Sequence, residues 1–137
     1  RRELPGVHWD RRADLLARTF WPGPLTILLA DGEGGGVAVR VEDHPLTRQV
    51  LAALAGLMSS TSLNRTGDPS ASTEEEARSV LEDLPDDEAP IVFLPGGRLA
   101  GSPPSTLVSL IGAATEVLRA GAVAAADVHD CLEGVEP

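Results

Sequence analysis

The run at residues 59–70, Ser-Ser-Thr-Ser-Leu-Asn-Arg-Thr-Gly-Asp-Pro-Ser, carries many small hydrogen-bonding side chains. It follows an apolar stretch and precedes a helix start at residues 72–76, Ser-Thr-Glu-Glu-Glu. Small hydroxyls and free backbone N–H groups beside a helix N-terminus suit phosphate oxygens. The glycine, aspartate and proline of the run equally fit an ordinary surface turn. From the residues alone, the surface turn is the simpler interpretation.

A second chemical candidate is Arg40, which lies within the apolar stretch Val37–Val41. Alternation along a strand puts Ala38 and Arg40 on one face and the three valines on the other. The arginine then either points to solvent or presents a planar fork that suits a carboxylate or a phosphate.

The sequence shows no pattern typical of a metal site, of a catalytic nucleophile or of a nucleotide fingerprint. The three histidines show no metal-ligand spacing, and neither a Ser-His-Asp nor a Cys-His set is visible. The glycine run at residues 34–36 lacks the strand-to-helix context of a nucleotide fingerprint and predicts a hairpin. The single cysteine, Cys131, cannot form an internal disulfide and fits a reducing compartment.

These residues must be positioned by helices and short strands. Asp10 as a cap and an apolar stripe predict a first helix, and Ser72 or Thr73 can begin another through a capping box. Leu46, Val50, Leu51 and Leu54 are expected on the buried side of the helix between them. The predicted helices are residues 10–20, 44–55, 73–81 and 124–132, and the predicted strands are 25–29, 37–41, 57–61, 91–94, 106–110 and 116–119. Residues 82–88 are predicted to be an acidic surface loop. The mixture indicates an α/β or α+β fold with a mixed sheet.

Size and charge narrow the class of protein. The chain has 137 residues, which fits one domain, and no apolar run is long enough to cross a bilayer. The net charge of −10 argues against a broad nucleic-acid surface.

Several segments, taken in order, carry a family resemblance. They are Phe20-Trp-Pro-Gly-Pro-Leu-Thr26, Val37-Ala-Val-Arg-Val-Glu-Asp-His-Pro45, Ser62-Leu-Asn64 with Gly67-Asp-Pro-Ser70, Pro104-Ser-Thr-Leu-Val108 and Val117-Leu-Arg-Ala-Gly-Ala122. Together they resemble the YrdC-like family of threonylcarbamoyl-AMP synthases in its short, single-domain form. The resemblance implies a twisted mixed sheet, flanked by helices, around a concave substrate cavity. Residues 1–137 would then be the C-terminal two-thirds of one YrdC-like domain.

The resemblance also implies roles for individual residues. The positions that match threonine-binding residues of the family are Arg40, Ser60, Ser105 and Thr106. Those that match nucleotide-binding residues are Ser62, Asn64, Ser70 and Arg119. Catalysis would rest on Ser62, Asn64 and Arg40, with no protein-bound metal.

The activity implied is ATP-dependent synthesis of threonylcarbamoyl-AMP from L-threonine and bicarbonate, a nucleotidyltransferase reaction with Mg²⁺, in the cytoplasm. A downstream tRNA threonylcarbamoyl-transferase complex would use the product for the tRNA modification t6A37, so contact with tRNA is indirect. Two alternatives stay open: a non-catalytic module that binds nucleotide or double-stranded RNA, and the carbamoyl-transfer domain of a hydrogenase-maturation type protein.

The sequence departs from the family pattern in several places. The family's N-terminal segment carries a Lys-x-Arg motif that grips the ATP phosphates, and this chain contains no lysine. Ser109 and Ala120 stand where the family usually has aspartate and proline. We therefore expect that the 137 residues alone lack part of the family's site and leave an open sheet edge.

Overall fold

The structure is a computed structural model, and it describes residues 6–84, 90–99 and 103–135. Its elements in chain order are α1 (Arg11–Phe20), β1 (Leu25–Ala30), β2 (Gly36–Val39), α2 (Pro45–Leu54), α3 (Glu74–Leu81), β3 (Thr106–Ser109), β4 (Glu116–Arg119) and α4 (Ala125–Cys131). They fall into two compact units, residues 1–48 with 103–137 and residues 49–102. The boundary between the units lies within α2. That the chain is one YrdC-like domain stays a prediction.

The first unit contains a four-stranded mixed sheet in the order β2-β1-β3-β4. β1 pairs with β2 as an antiparallel hairpin and with β3 in parallel, and β3 pairs with β4 in antiparallel. The parallel pair joins strands that are far apart in sequence, because β2, α2 and the second unit lie between them in the chain. The prediction of a mixed α/β fold is confirmed.

One face of this sheet is buried by α1 and α4. The strand β1 alternates strictly, with Leu25, Ile27 and Leu29 buried and the residues between them half-buried. The core of the unit consists of Ala13, Leu16, Leu25, Ile27, Leu29, Val108, Leu110, Val123 and Val128. Burying each large aliphatic side chain contributes about 1.5–3 kcal/mol, so this face holds the unit together.

The hairpin between β1 and β2 sets the position of Arg40. The loop between the two strands is closed by Asp31, whose carboxylate accepts hydrogen bonds from the amides of Glu33 and Gly35 at 2.9 and 2.8 Å. These bonds lower the pKa of Asp31. The predicted hairpin is confirmed, although β2 ends at Val39, so Arg40 directly follows the strand.

A buried arginine fastens the start of α1 to the connection between β3 and β4. Asp10 caps the helix by accepting from the amide of Ala13 at 3.0 Å, and it also pairs with Arg12 at 2.7 Å. The guanidinium of Arg12 donates in addition to the carbonyls of Leu110, Gly112 and Ala113, at 3.1, 2.8 and 2.8 Å. The sequence predicts the cap, but it does not predict that Arg12 is buried.

The second unit is built around α3 and a closed polar loop. Thr73 caps α3, and its side chain and that of Glu76 form the predicted capping box. The loop is closed where the amide of Ala71 donates to the carbonyl of Leu63 at 2.8 Å. Arg65 fastens the loop to the helix region by pairing with Asp83 and by donating to the carbonyl of Ser79 at 3.1 Å. The pKa of Arg65 is raised by this hydrogen-bonded pairing with Asp83.

Two strand predictions for the second unit are wrong. Residues 57–61 and 91–94 form no strand, and Ile91 and Val92 are 54% and 79% exposed. In α2, Leu46, Val50 and Leu51 are half-buried on the predicted side, whereas Leu54 is 60% exposed. Short apolar runs are ambiguous until they find a pairing strand, and neither run has one among the described residues. The acidic loop predicted at 82–88 falls partly outside the described residues, since 85–89 are not among them.

Candidate functional site

The strongest candidate site is a row of side chains across the sheet face opposite α1 and α4. Thr26 of β1 lies opposite Leu107 of β3, and Leu107 lies opposite Arg119 of β4. On the other side of β1, Ile27 pairs with Val39, and Thr26 and Arg40 are the next residues of the two chains, on the face opposite that pair. We call Arg40, Thr26, Ser105 and Arg119 the polar row.

Hydrogen bonds join three of these four residues. Arg119 donates through Nε and Nη2 to the carbonyl of Ser105 at 3.2 and 2.9 Å, and through Nη2 to the Ser105 hydroxyl at 3.0 Å. The Ser105 hydroxyl lies 2.8 Å from that of Thr26. Ser105 is only 8% exposed. The bonds therefore hold one guanidinium and two hydroxyls in a fixed arrangement.

Arg40 completes the row on the β2 side. Its side chain is 35% exposed and forms an ion pair with Glu42, two residues further along the chain. Partial burial, and then the positive charge of Arg119, lower the pKa of Arg40. An arginine still stays protonated at physiological pH, so two like charges face the same part of the sheet. An anion placed between them would reduce their mutual repulsion.

Gly121 allows the segment before β3 to lie close to the chain after β4. A Cβ atom at this position would come within 2.2 Å of the Pro104 carbonyl oxygen and 2.5 Å of the Thr106 amide nitrogen. The amide of Ala122 also donates to the Pro104 carbonyl at 3.0 Å. Only glycine fits this approach, which sets the backbone of Ser105.

Thr106 lies on the core side of the sheet. Its hydroxyl donates to the Val123 carbonyl at 2.6 Å and accepts from the Val123 amide at 3.0 Å. It is fully buried. Ser105 and Thr106 therefore point to opposite faces, and Ser105 belongs to the polar row whereas Thr106 fastens β3 to the chain before α4.

The other predicted site residues lie in the second unit. Ser60, Ser62 and Ser70 are exposed, and Asn64 is half-buried and donates to the Arg65 carbonyl at 2.9 Å. A shallow groove of about 550 Å³ runs between the loop and α3, and Ser70 is one of its lining residues. The roles predicted for these four residues stay predictions.

Two amides just before α3 are already hydrogen-bonded within the chain. The carboxylate of Glu76 accepts from the amide and hydroxyl of Ser72 at 2.7 and 3.0 Å and from the amide of Thr73 at 3.2 Å. These bonds to Ser72 and Thr73 lower the pKa of Glu76. The carboxylate of Glu76 therefore already uses the amides of Ser72 and Thr73, and a phosphate site at this segment stays a prediction.

Thr26 is not among the site residues that the sequence predicts. Residues 25–29 were predicted to be an apolar strand, and Thr26 is the one polar residue in it. A polar residue at the second position of a strand that is otherwise Leu-Ile-Leu-Leu marks the face away from the core. That signal shows the face but not the partner, since Ser105 is 79 positions away.

Comparison with known proteins places these observations in a family. The sequence profile of the Sua5–YciO–YrdC family, described as "Telomere recombination", matches residues 3–121. The chain is 38% identical over 117 residues to a threonylcarbamoyl-AMP synthase of Chromohalobacter salexigens, covering 78% of this chain and 58% of that protein. It is 40% identical over 108 residues to one of Pseudomonas aeruginosa, covering 72% of this chain and 52% of that protein.

Two solved structures have a similar fold. P. abyssi Sua5 in complex with L-threonine has a TM-score of 0.76 at 24% identity, and it matches 98% of this chain and 41% of that protein. The H234A/Y235A variant of P. abyssi Sua5 has a TM-score of 0.74 at 22% identity, and the match covers 93% of this chain and 40% of that protein. The chain spans about half the length of the curated relatives that it matches.

Proposed function

Because the chain belongs to the Sua5–YciO–YrdC family, we propose that the protein makes threonylcarbamoyl-AMP from L-threonine, bicarbonate and ATP. The observation that carries the proposal is the polar row, in which Arg40 and Arg119 stand on either side of the hydroxyls of Thr26 and Ser105. The names of the similar proteins from C. salexigens and P. aeruginosa support it, as does the L-threonine in the P. abyssi complex.

In this proposal Arg40 binds the threonine carboxylate. Its planar guanidinium can hold a carboxylate through two parallel hydrogen bonds, as its pairing with the Glu42 carboxylate illustrates within the chain. Arg119 bears the second positive charge and serves the nucleotide phosphates. Ser105 is the hydroxyl of the row that we assign to threonine, while Thr106 acts by holding β3 in place.

For the second unit, the proposal keeps the roles that the resemblance implies. Ser62, Asn64 and Ser70 are assigned to the nucleotide, and Ser60 to threonine. Ser60, Ser62 and Ser70 are exposed and Asn64 is half-buried, so all four have surface that a ligand can reach.

The chemistry requires positioning and charge neutralisation. The threonine amine adds to bicarbonate with loss of water, which gives a carbamate. A carbamate oxygen then attacks the α-phosphorus of ATP, and the bond to pyrophosphate breaks. Arginine side chains at the reacting groups lower the energy of the charged transition state, and no protein nucleophile is needed.

Mg²⁺ would enter with the nucleotide. Within residues 6–84, 90–99 and 103–135, no group of three or more histidine, cysteine, aspartate or glutamate side chains could hold a metal ion. Mg²⁺ is often bound mainly through substrate phosphates and water. The ion would neutralise phosphate charge, and the chain's own residues would hold the phosphates.

We further propose that the product is passed to a tRNA threonylcarbamoyl-transferase complex for the modification t6A37, in the cytoplasm. No helix of the described residues is long and apolar enough to span a membrane.

The decisive experiment measures ATP-dependent pyrophosphate release with L-threonine and bicarbonate, using the protein encoded by the full gene. We expect Arg40→Ala to lower kcat/KM by about 10- to 150-fold, the range for loss of a hydrogen bond to a charged group. Arg18→Ala, which removes a 75% exposed arginine from α1, is the matched control and should leave the rate unchanged. Absence of pyrophosphate release, or equal rates for both variants, would contradict the proposal.

A further inference from the structure

We infer that Thr26 is a further substrate-binding residue, whose hydroxyl donates a hydrogen bond to the carboxylate of the bound amino acid. This inference rests on the proposed function, because it identifies the occupant of the polar row as the carboxylate of threonine.

The placement of Thr26 in the fold is the first argument. It lies opposite Leu107 of β3, which in turn lies opposite Arg119, and it is adjacent to Ile27, which pairs with Val39, the residue before Arg40. Thr26 is half-buried, whereas Ser105 is almost fully covered. Of the two hydroxyl-bearing residues in the row, Thr26 is therefore the more exposed.

The second argument comes from counting hydrogen-bond donors. The Ser105 hydroxyl accepts a bond from Arg119 at 3.0 Å, and it shares one further bond with Thr26 at 2.8 Å. Two hydroxyls carry two hydrogens, and their shared bond uses one of them. When the buried Ser105 donates to Thr26, the hydrogen of Thr26 remains for a third group.

The third argument is the charge around that hydrogen. The row presents two guanidinium groups and one spare hydroxyl donor, an arrangement that suits an acceptor with negative charge. Arg119 uses Nε and Nη2 for its bonds to Ser105, which leaves its Nη1 donors for a ligand. A carboxylate can accept from Arg40 and from Thr26 at the same time. Ser105 then acts as a positioning residue that orients the Thr26 hydroxyl.

The test compares Thr26→Val, which keeps the shape and removes the hydroxyl, with Thr26→Ser, which keeps the hydroxyl. Calorimetric titration of the full-length protein with L-threonine should show Kd raised about tenfold in Thr26→Val, equal to about 1.4 kcal/mol. Thr26→Ser should bind within about threefold of wild type. In the pyrophosphate assay, KM for threonine should rise while kcat and KM for ATP change little, because the lost contact is made equally in ground and transition states.

The control variant is Ser109→Ala, which removes a hydroxyl from the same strand pair, since Ser109 lies opposite Leu28. It should leave the threonine affinity at the wild-type value. If Thr26→Val folds poorly, the pair Thr26→Ala and Thr26→Ser provides the same comparison, and Thr26→Ala should be the weaker binder.

The outcomes separate this inference from the proposed function. Three results would each overturn the role of Thr26. The first is equal threonine affinity in Thr26→Val and wild type, and the second is equally weak binding by Thr26→Ser and Thr26→Val. The third is that the wild type does not bind threonine. A protein that binds threonine through Thr26 but releases no pyrophosphate would overturn the proposed function alone.

Discussion

Replacing Arg12 with alanine is expected to destabilise the first unit by about 3–5 kcal/mol, the usual cost of breaking a buried ion pair from one side. The side chains of Arg12 and Asp10 are only 5% and 9% exposed. The substitution leaves the Asp10 carboxylate without its guanidinium partner, and it also removes the donors of three main-chain carbonyls at residues 110, 112 and 113. The hydrogen bond from the Ala13 amide to Asp10 remains and limits the loss.

Urea unfolding followed by tryptophan fluorescence measures this change. Trp9 and Trp21 both lie in the first unit, with ring centroids 6.0 Å apart, so their emission reports on its unfolding. Arg18→Ala is the control, because Arg18 is on the same helix, is 75% exposed and lies 3.8 Å from Asp14. That exposed pair is expected to contribute less than about 0.5 kcal/mol. Unfolding free energies of the two variants that agree within about 1 kcal/mol would refute the reasoning.

The same pair predicts a pH dependence. Burial opposes the charged form of Asp10, but the bonds from Ala13 and Arg12 outweigh it, and the pKa of Asp10 is lowered. A carboxyl with a lowered folded-state pKa contributes stability above its unfolded pKa, about 3.9, and loses it as the pH falls through the folded value. The free-energy gap between wild type and Arg12→Ala should therefore narrow below about pH 4, because protonation of Asp10 removes its unpaired charge in the variant.

Two further predictions concern the polar row. Gly121→Ala should lower the stability of the first unit by about 1–3 kcal/mol and weaken threonine binding, because its Cβ would collide with backbone beside Ser105. Gly56→Ala, whose Cβ would have its nearest neighbour at 3.6 Å, should be neutral in thermal unfolding. Glu42→Gln should raise the affinity for threonine about two- to fivefold, because it frees the guanidinium with which Glu42 is paired. The control Asp43→Asn changes the net charge by the same amount. If titration shows a larger gain in threonine affinity for Asp43→Asn than for Glu42→Gln, the explanation is wrong.

The parts of the fold that depend on neighbouring residues could be predicted from sequence. The cap at Asp10, the capping box of Thr73 and the glycine-rich hairpin were all predicted, and the structure confirms them. In each case the interacting groups are a few positions apart, so local geometry alone determines the contact.

The wrong predictions concern segments whose structure depends on residues far away in the sequence. Residues 57–61 and 91–94 have strand-like composition, but a strand forms only where a partner supplies the other half of its backbone hydrogen bonds. The side of α2 predicted to be buried is only half-buried at Leu46, Val50 and Leu51, and Leu54 is exposed, because full burial requires a surface to pack against.

The candidate site shows most clearly which features depend on local sequence and which depend on the tertiary fold. The sequence predicts Arg40 as a candidate from its position in an apolar strand, and Ser105 and Arg119 through the family resemblance. That Thr26 joins them and that Arg12 is buried follows only from the tertiary structure. Both depend on the parallel pairing of β1 with β3 and on contacts that span from 79 to 101 positions. Such contacts form only when the whole sheet assembles, so short-range patterns in the sequence do not contain them.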